Sequence, residues 1–169
     1  TPVAPKLNDK DMSQLIANQI IDNLRETIDE HFHQGEYNHI INISKVIQLA
    51  RPEDLDTVAN AGWLLWSLDR DQDAINFYKQ SIADYPKSYF MYDEIGYYYY
   101  LRKKDYKTAL GYYIEAAKFK DVTPTSLHMY AHCYEKLGEW NNAIKIWEIA
   151  IQNKSDQIAV VNYKRAKAH

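Results

Sequence analysis

An alanine followed four positions later by an aromatic residue recurs along the chain at a nearly constant interval. The three copies are Ala74/Tyr78, Ala109/Tyr113 and Ala143/Trp147. Successive alanines lie about 34 residues apart, and a weaker copy places Ile40 at the same interval before Ala74. A fixed period of this length indicates a small structural unit repeated in tandem, in which each unit buries its apolar face against its neighbours.

A second pattern precedes each of these anchors. It reads Tyr92-x-x-Ile95-Gly96-x-x-Tyr99 in the middle of the chain, and it recurs more loosely around Gly62 and Ala131. The two patterns together resemble the tetratricopeptide repeat family, whose motif is W-x2-L-G-x2-Y, then A-x3-F, then P, at a period of about 34 residues. The resemblance covers roughly residues 20 to 155.

The resemblance implies an all-α fold, namely a right-handed α-solenoid of about four helix pairs with a C-terminal capping helix. We expect a flexible N-terminal lead-in over residues 1–12, a repeat array over 13–155, and a capping helix and tail over 156–169. The repeats would occupy about 21–54, 55–88, 89–123 and 124–157. The first repeat departs from the motif, because Ile28 and Ile40 replace small residues and His31 replaces the aromatic residue, so we expect looser packing there.

Local signals agree with paired helices. Gly35 and Gly138 lie where the first helix of a pair turns into the second, a position that favours a left-handed glycine. Thr123 and Ser155 are expected to cap helix N-termini, with Pro124 at a first helical position.

The composition excludes several classes of function. The net charge of −3 and the pI near 6.0 give no electrostatic attraction for nucleic acid or an anionic membrane. No apolar stretch approaches the roughly 20 residues needed to span a bilayer, so we expect no membrane insertion. The chain begins at Thr1, as it would after removal of an export signal or in a trimmed segment. The sequence therefore leaves the compartment open between the cytoplasm and export.

Catalytic motifs are absent from the sequence, and we expect neither an enzyme nor a cofactor nor a metal site. His128 and His132 have a spacing that can hold a metal, but no third ligand lies near them in sequence, and we interpret them as polar residues lining a groove. His31, His33 and His39 straddle a turn and are expected to face solvent. Cys133, the only cysteine, is expected to be a buried, inert thiol.

Tetratricopeptide arrays bind peptides or partner helices along the concave face made by their first helices, and the resemblance maps this groove onto ten residues. They are Asn60, Trp63, Trp66, Phe90, Asp93, Glu94, Tyr97, Tyr100, His128 and His132. Large aromatic residues with a polar group are common anchors of binding surfaces. The alternative for each residue is that its side chain packs sideways on a neighbouring helix.

The family's carboxylate clamp for C-terminal peptides is not reproduced. At the matching positions stand Arg25, Asp29, Asn60, Phe90 and Glu94, of which only Asn60 fits. An aromatic and acidic groove would suit an apolar or basic protein segment. The leading hypothesis is therefore a non-enzymatic scaffold that binds a protein or peptide in its concave groove.

A different hypothesis is an assembly or oligomerisation subunit of a larger complex, which would use a terminal repeat or the convex face. A homo-oligomer is compatible with the sequence.

Four consecutive tyrosines occupy residues 97 to 100. Because helical residues step by about 100°, they cannot share one face. We expect Tyr97 and Tyr100 to line the groove, Tyr98 to pack on a neighbouring helix and Tyr99 to take the core aromatic position. The segment from Gly96 to Ala109 is one residue longer than its counterparts in the flanking repeats, so an extra residue is expected in the turn that follows.

Overall fold

The computed structural model describes residues 8–152 and 156–169, and every regular element in these ranges is a helix, which confirms the all-α class. The helices are α1 (Asp9–Gln34), α2 (Tyr37–Ala50), α3 (Leu55–Ser67), α4 (Asp71–Asp84), α5 (Phe90–Tyr98), α6 (Tyr106–Ala116), α7 (Pro124–Lys136), α8 (Trp140–Ala150) and α9 (Gln157–Lys167). A π-helical turn, Tyr99–Lys103, follows α5. Within the described ranges, no helix is long and apolar enough to cross a membrane.

The chain divides into two compact units, Thr1–Phe77 and Tyr78–His169, and the boundary falls within α4. In the first unit α2 packs against both α1 and α3, around a core of aliphatic side chains. Ile40, Ile41 and Ile47 of α2 supply much of this core, and Val58 of α3 is fully buried. In contrast, the 26 residues of α1 bury a single side chain, that of Ile21, and most of this helix is exposed to solvent.

Helix α1 begins at Asp9, inside the segment 1–12 that the sequence predicts as a flexible lead-in. The Asn8 side chain caps the helix by accepting a hydrogen bond from the Asp11 N–H, at 2.9 Å. Asp9 and Asp11 also place negative charge in the first turn, where the helix dipole favours it. Because of this cap and these charges, the helix begins several residues before the region in which the repeat pattern appears.

In the second unit each helix from α5 to α9 packs on the next along the chain. The small residues that the repeat predicts for close approach are fully buried; they are Gly96, Ala109, Ala131 and Ala143. At Gly96 the approach is closest, because a Cβ placed there would lie 2.9 Å from Cε2 of Tyr113. Only glycine at this position lets the Tyr113 ring reach α5.

The turns inside the helix pairs follow one scheme with a single exception. Gly35 and Gly138 have φ of 75° and 76°, as the sequence predicts. In the α7–α8 turn, the Glu139 N–H donates to the carbonyl of Tyr134, five residues earlier. After α5 the corresponding N–H, that of Asp105, reaches the carbonyl of Tyr99, six residues earlier, across the π-helical turn. The extra residue of this repeat therefore widens the last helical turn instead of lengthening the loop.

Helix α7 is capped as expected, since the Thr123 hydroxyl accepts from the Ser126 N–H at 3.3 Å and Pro124 begins the helix. The predicted cap Ser155 lies outside the described residues. The cap of α9 is Asp156, whose carboxylate accepts from the Ala159 N–H at 2.9 Å.

Candidate functional site

Two tryptophans lie side by side on α3, in the first unit. Trp63 is 47% exposed and Trp66 is half-buried. Their rings meet edge to face, with centroids 5.9 Å apart, because residues three apart on a helix lie on the same side. Trp63 therefore presents a large apolar surface to solvent, held in place by the second ring.

Trp63 borders a cleft of about 340 Å³ formed by α1, α2 and α3. Its walls are mostly apolar, and they comprise Ile28, Asp29, Phe32, Ile40, Asn60, Trp63 and Leu64. We call this the α1–α3 cleft. Two residues of the predicted groove, Asn60 and Trp63, thus share one concave surface. Phe32, 48% exposed, also lines it. It is not among the ten predicted groove residues, although it lies 34 residues before Trp66, at the corresponding position of the irregular first repeat.

A second cleft, of about 320 Å³, shares Ile28, Asp29, Ile40 and Asn60 with the first and is more polar. Arg25 and Asp54 form an ion pair on its wall. The carboxylates of Asp29 and Asp56 have no hydrogen-bond or ion-pair partner in the described parts of the chain. The polar end of this surface therefore carries an excess of negative charge.

In the second unit, the predicted groove residues of α5 differ in exposure. Tyr97 is 42% exposed, whereas Phe90 and Glu94 are half-buried. Asp93 is half-buried as well, and its Oδ1 is shielded from solvent without a hydrogen-bond partner among the described residues. Burial raises the pKa of the Asp93 carboxyl, and a hydrogen bond from the Ser126 hydroxyl only partly offsets this. Its carboxyl group thus faces α7.

The four tyrosines occupy distinct environments. Tyr98 is 2% exposed, and Tyr99 stacks on Tyr112 of α6 with centroids 5.8 Å apart. Tyr100 is half-buried; its ring meets that of Tyr106 at 5.2 Å. Tyr100 also packs against the buried cluster of Ala109, Tyr113 and Cys133. Tyr97 is therefore the most exposed tyrosine of the four.

His128 and His132 flank the buried ring of Trp147, with ring centroids 5.2 and 5.1 Å away. His128 Nε2 lies 2.6 Å from an Asp156 carboxylate oxygen, and His132 Nδ1 lies 2.8 Å from one of Glu135. Each histidine therefore has a carboxylate partner of its own.

Glu135 is the centre of this network. It accepts hydrogen bonds from Trp147 Nε1 at 2.9 Å and from Arg165 at 2.6 Å, besides its contact with His132. Burial alone would raise the pKa of Glu135, but the hydrogen bonds from His132, Trp147 and Arg165 outweigh it and lower the pKa. The network ties α9 to α7 and α8.

The lone thiol, Cys133, is fully buried, as expected. Burial raises the pKa of Cys133 to about 12. At neutral pH the sulfur is therefore a protonated thiol, which is a poor nucleophile and a poor metal ligand.

Comparison with known proteins agrees with these features. A sequence model described as tetratricopeptide repeat matches residues 60–88, and a search of curated protein sequences finds no match. Among solved structures, the chain is similar to the MamA protein, with 18% identity, a TM-score of 0.64, and coverage of 89% of this chain and 84% of that one. It is also similar to TTC0263, a thermophilic tetratricopeptide-repeat protein of Thermus thermophilus, with 15% identity, a TM-score of 0.62, and coverage of 92% and 89%.

A third similar structure is PilW, described as a widely conserved type IV pilus biogenesis factor. It shares 13% identity with this chain, with a TM-score of 0.63 and coverage of 89% of this chain and 70% of that one. Identities this low establish the fold alone. By its repeat motif and by its fold, the chain resembles the tetratricopeptide repeat family.

Proposed function

We propose that the chain is a non-enzymatic scaffold that binds a protein or peptide segment, and that the α1–α3 cleft is a principal binding surface. The observation that carries the proposal is Trp63, a tryptophan 47% exposed at the edge of an apolar concave surface. Such a ring is costly to leave in water, and tryptophan is among the residues most enriched at binding hot spots.

The chemistry of the cleft selects the partner. Its apolar end, with Phe32 and Trp63, suits a large apolar side chain. Its other end, at Asp29, adjoins the second cleft, which also contains Asp56. The carboxylates of Asp29 and Asp56 lack partners among the described residues, so a lysine or arginine would find a complementary charge there. A segment that presents an apolar residue close to a basic one fits both ends.

A peptide-display selection against the full chain tests this proposal. Selected peptides are expected to combine basic and apolar residues, and one of them would be labelled for fluorescence anisotropy. Trp63→Ala should weaken its binding by about 2 kcal/mol or more, roughly thirtyfold, because the ring supplies most of the apolar contact. The control is Leu49→Ala, since Leu49 is 82% exposed on α2 and lines neither cleft.

The affinity of the Tyr97→Ala variant for the same peptide tests separately whether the exposed tyrosine of the second unit takes part in binding. A peptide that binds the Trp63→Ala and Leu49→Ala variants equally well would refute the proposed site. Uniform binding of acidic peptides would refute the proposed partner chemistry while leaving the site intact.

A second candidate function, assembly into a larger complex, is favoured by α1. Four large apolar residues on this helix, Met12, Leu15, Ile16 and Ile20, are 44% to 56% exposed. Helical geometry places them on sides turned away from Ile21, the residue that α1 buries. Exposed apolar residues grouped in this way are typical of an interaction surface.

We propose that the apolar side of α1 contacts α9 of a second copy of the chain. Ile158 and Val161 of α9 are 63% and 65% exposed and lie close to Lys164, whereas Asp9 and Glu26 flank the apolar side of α1. Apolar surface and opposite charge are thus paired between two different helices, which makes the contact heterologous.

Sedimentation velocity over a wide range of protein concentration tests this candidate. We expect Ile16→Glu to abolish concentration-dependent association, while Gln14→Glu, on another side of the same exposed turn, leaves it intact. A wild-type chain that remains monomeric throughout would refute it.

A further inference from the structure

Three metal-binding side chains converge at the turn between α1 and α2. They are His31 in the last turn of α1, Glu36 just before α2, and His39 in the first turn of α2. One ligand atom of each residue lies within 4.8 Å of the ligand atoms of the other two. This group lies apart from both clefts, since none of its three residues lines either of them.

The geometry of the turn explains the convergence. Gly35 is left-handed, with φ of 75°, and the Glu36 N–H returns to the His31 carbonyl at 2.9 Å. The chain therefore reverses so that the residues before and after Gly35 face each other. The last carbonyls of α1 also point toward this end of the helix, and their partial negative charge favours a cation.

The distances suit a single small ion. Two ligands of a tetrahedral zinc ion, each about 2.1 Å from the metal, lie about 3.4 Å apart. His39 Nδ1 is 3.6 Å from Glu36 Oε2, close to that separation. His31 Nδ1 is 2.6 Å from the same oxygen, a hydrogen bond that needs to open by less than about 1 Å to admit the ion.

We propose that His31, Glu36 and His39 form a binding site for a divalent transition-metal ion, with zinc as the preferred occupant. Two imidazoles and one carboxylate match the ligand preferences of zinc. Three protein ligands leave a further position for water or for a donor from another molecule. His39, with a side chain 63% exposed, leaves the site open to solvent, so the ion can enter without unfolding the turn.

A metal ion at this site would strengthen the attachment of α1 to α2. Because α1 buries only Ile21, little side-chain burial supports its packing against α2. An ion bound by His31 on one helix and by His39 on the other would join them at the turn. Since a ligand that binds only the folded state stabilises it, zinc is expected to make the first unit more resistant to unfolding.

Isothermal titration of the full, tag-free chain with zinc chloride tests the proposal. We expect one ion per chain, and His39→Ala should weaken binding by at least about tenfold because it removes one of the three ligands. His33→Ala is the matched control: His33 is in the same turn, but its Nδ1 lies 2.7 Å from the Asp29 carbonyl oxygen, outside the group. Its affinity should stay within about twofold of the wild type.

X-ray absorption on the zinc-loaded chain provides a second measurement, expected to show two imidazole ligands and light oxygen ligands without sulfur. Circular dichroism of each variant shows whether it remains folded, and His39 is exposed enough for its replacement to be tolerated. The proposal would be overturned if no binding occurred up to about 100 µM zinc. It would equally be overturned if His39→Ala bound zinc as well as the wild type, because the ion would then be held by other histidines.

Discussion

The contact between Gly96 and Tyr113 makes the sharpest prediction about the fold. Replacing a helical glycine by alanine normally stabilises a helix by about 1 kcal/mol. At Gly96, however, the new Cβ would lie 2.9, 3.0 and 3.2 Å from three carbons of the Tyr113 ring. Tyr113 is only 1% exposed, so the ring has little room to move. Overpacking of this kind costs about 1–3 kcal/mol.

Gly111 supplies a matched control in the same unit. It lies on α6, is exposed, and a Cβ added there would meet no atom within 4 Å. Gly111→Ala should therefore be stabilising by about 1 kcal/mol, and Gly96→Ala should be less stable than Gly111→Ala by about 1–3 kcal/mol. Urea unfolding followed by circular dichroism measures both free energies of unfolding.

A double-mutant cycle identifies the cause. In a Tyr113→Leu background the ring is gone, so the penalty of Gly96→Ala should largely disappear, with a coupling energy of about 1–3 kcal/mol. The reasoning fails if Gly96→Ala stabilises the chain as much as Gly111→Ala does. It also fails if the penalty persists unchanged without the Tyr113 ring.

Three further predictions concern the second unit. Because the folded-state pKa of Glu135 is lowered, the stability that its carboxylate contributes is complete above the usual pKa of 4.5 and is lost as the pH falls through the folded-state pKa. Urea unfolding at several acidic pH values should show this loss of stability. In the Glu135→Gln variant, the free energy of unfolding should depend less on pH over the same range. Cys133 should react with a thiol reagent only when the unit opens, so that rapid labelling of the native chain would contradict its burial. Lys104 has φ of 53°, and Lys104→Gly should raise the free energy of unfolding by up to about 1 kcal/mol; Gly138→Ala, at φ of 76°, should lower it by a similar amount.

The helix pairs could be predicted because the repeat encodes them locally. Gly35, Gly138, Thr123 and Pro124 specify turns and caps through their own backbone preferences. The small residues at Gly96 and elsewhere follow the period, and the structure buries them as predicted. Such signals depend on neighbours a few residues away, which a single sequence displays.

The destinations of polar side chains were harder to predict. His128 pairs with Asp156 and Glu135 with Arg165, across 28 and 30 residues of sequence. His128 and His132 have a spacing that can hold a metal, but each contacts a carboxylate, that of Asp156 or of Glu135. The repeat motif does not predict these contacts. Asp93 directs its carboxyl toward Ser126, a contact that depends on how α7 packs against the preceding helices.

The π-helical turn after α5 likewise separates what the sequence predicts from what it leaves open. The longer interval between Gly96 and Ala109 predicts an extra residue, but counting cannot decide between a longer loop and a wider helical turn. The structure places it at Tyr99–Lys103, where the helix continues and its last hydrogen bond spans one more residue.

The most direct test of the proposed binding function is the NMR spectrum of the four tryptophan indoles during titration with a selected peptide. Trp147 is fully buried, and Trp140 stacks on His169; neither residue lines the α1–α3 cleft. We predict that the Trp63 indole signal shifts progressively to saturation while those of Trp140 and Trp147 stay in place. A peptide that binds the chain with equal affinity but leaves the Trp63 signal unmoved would contradict the account.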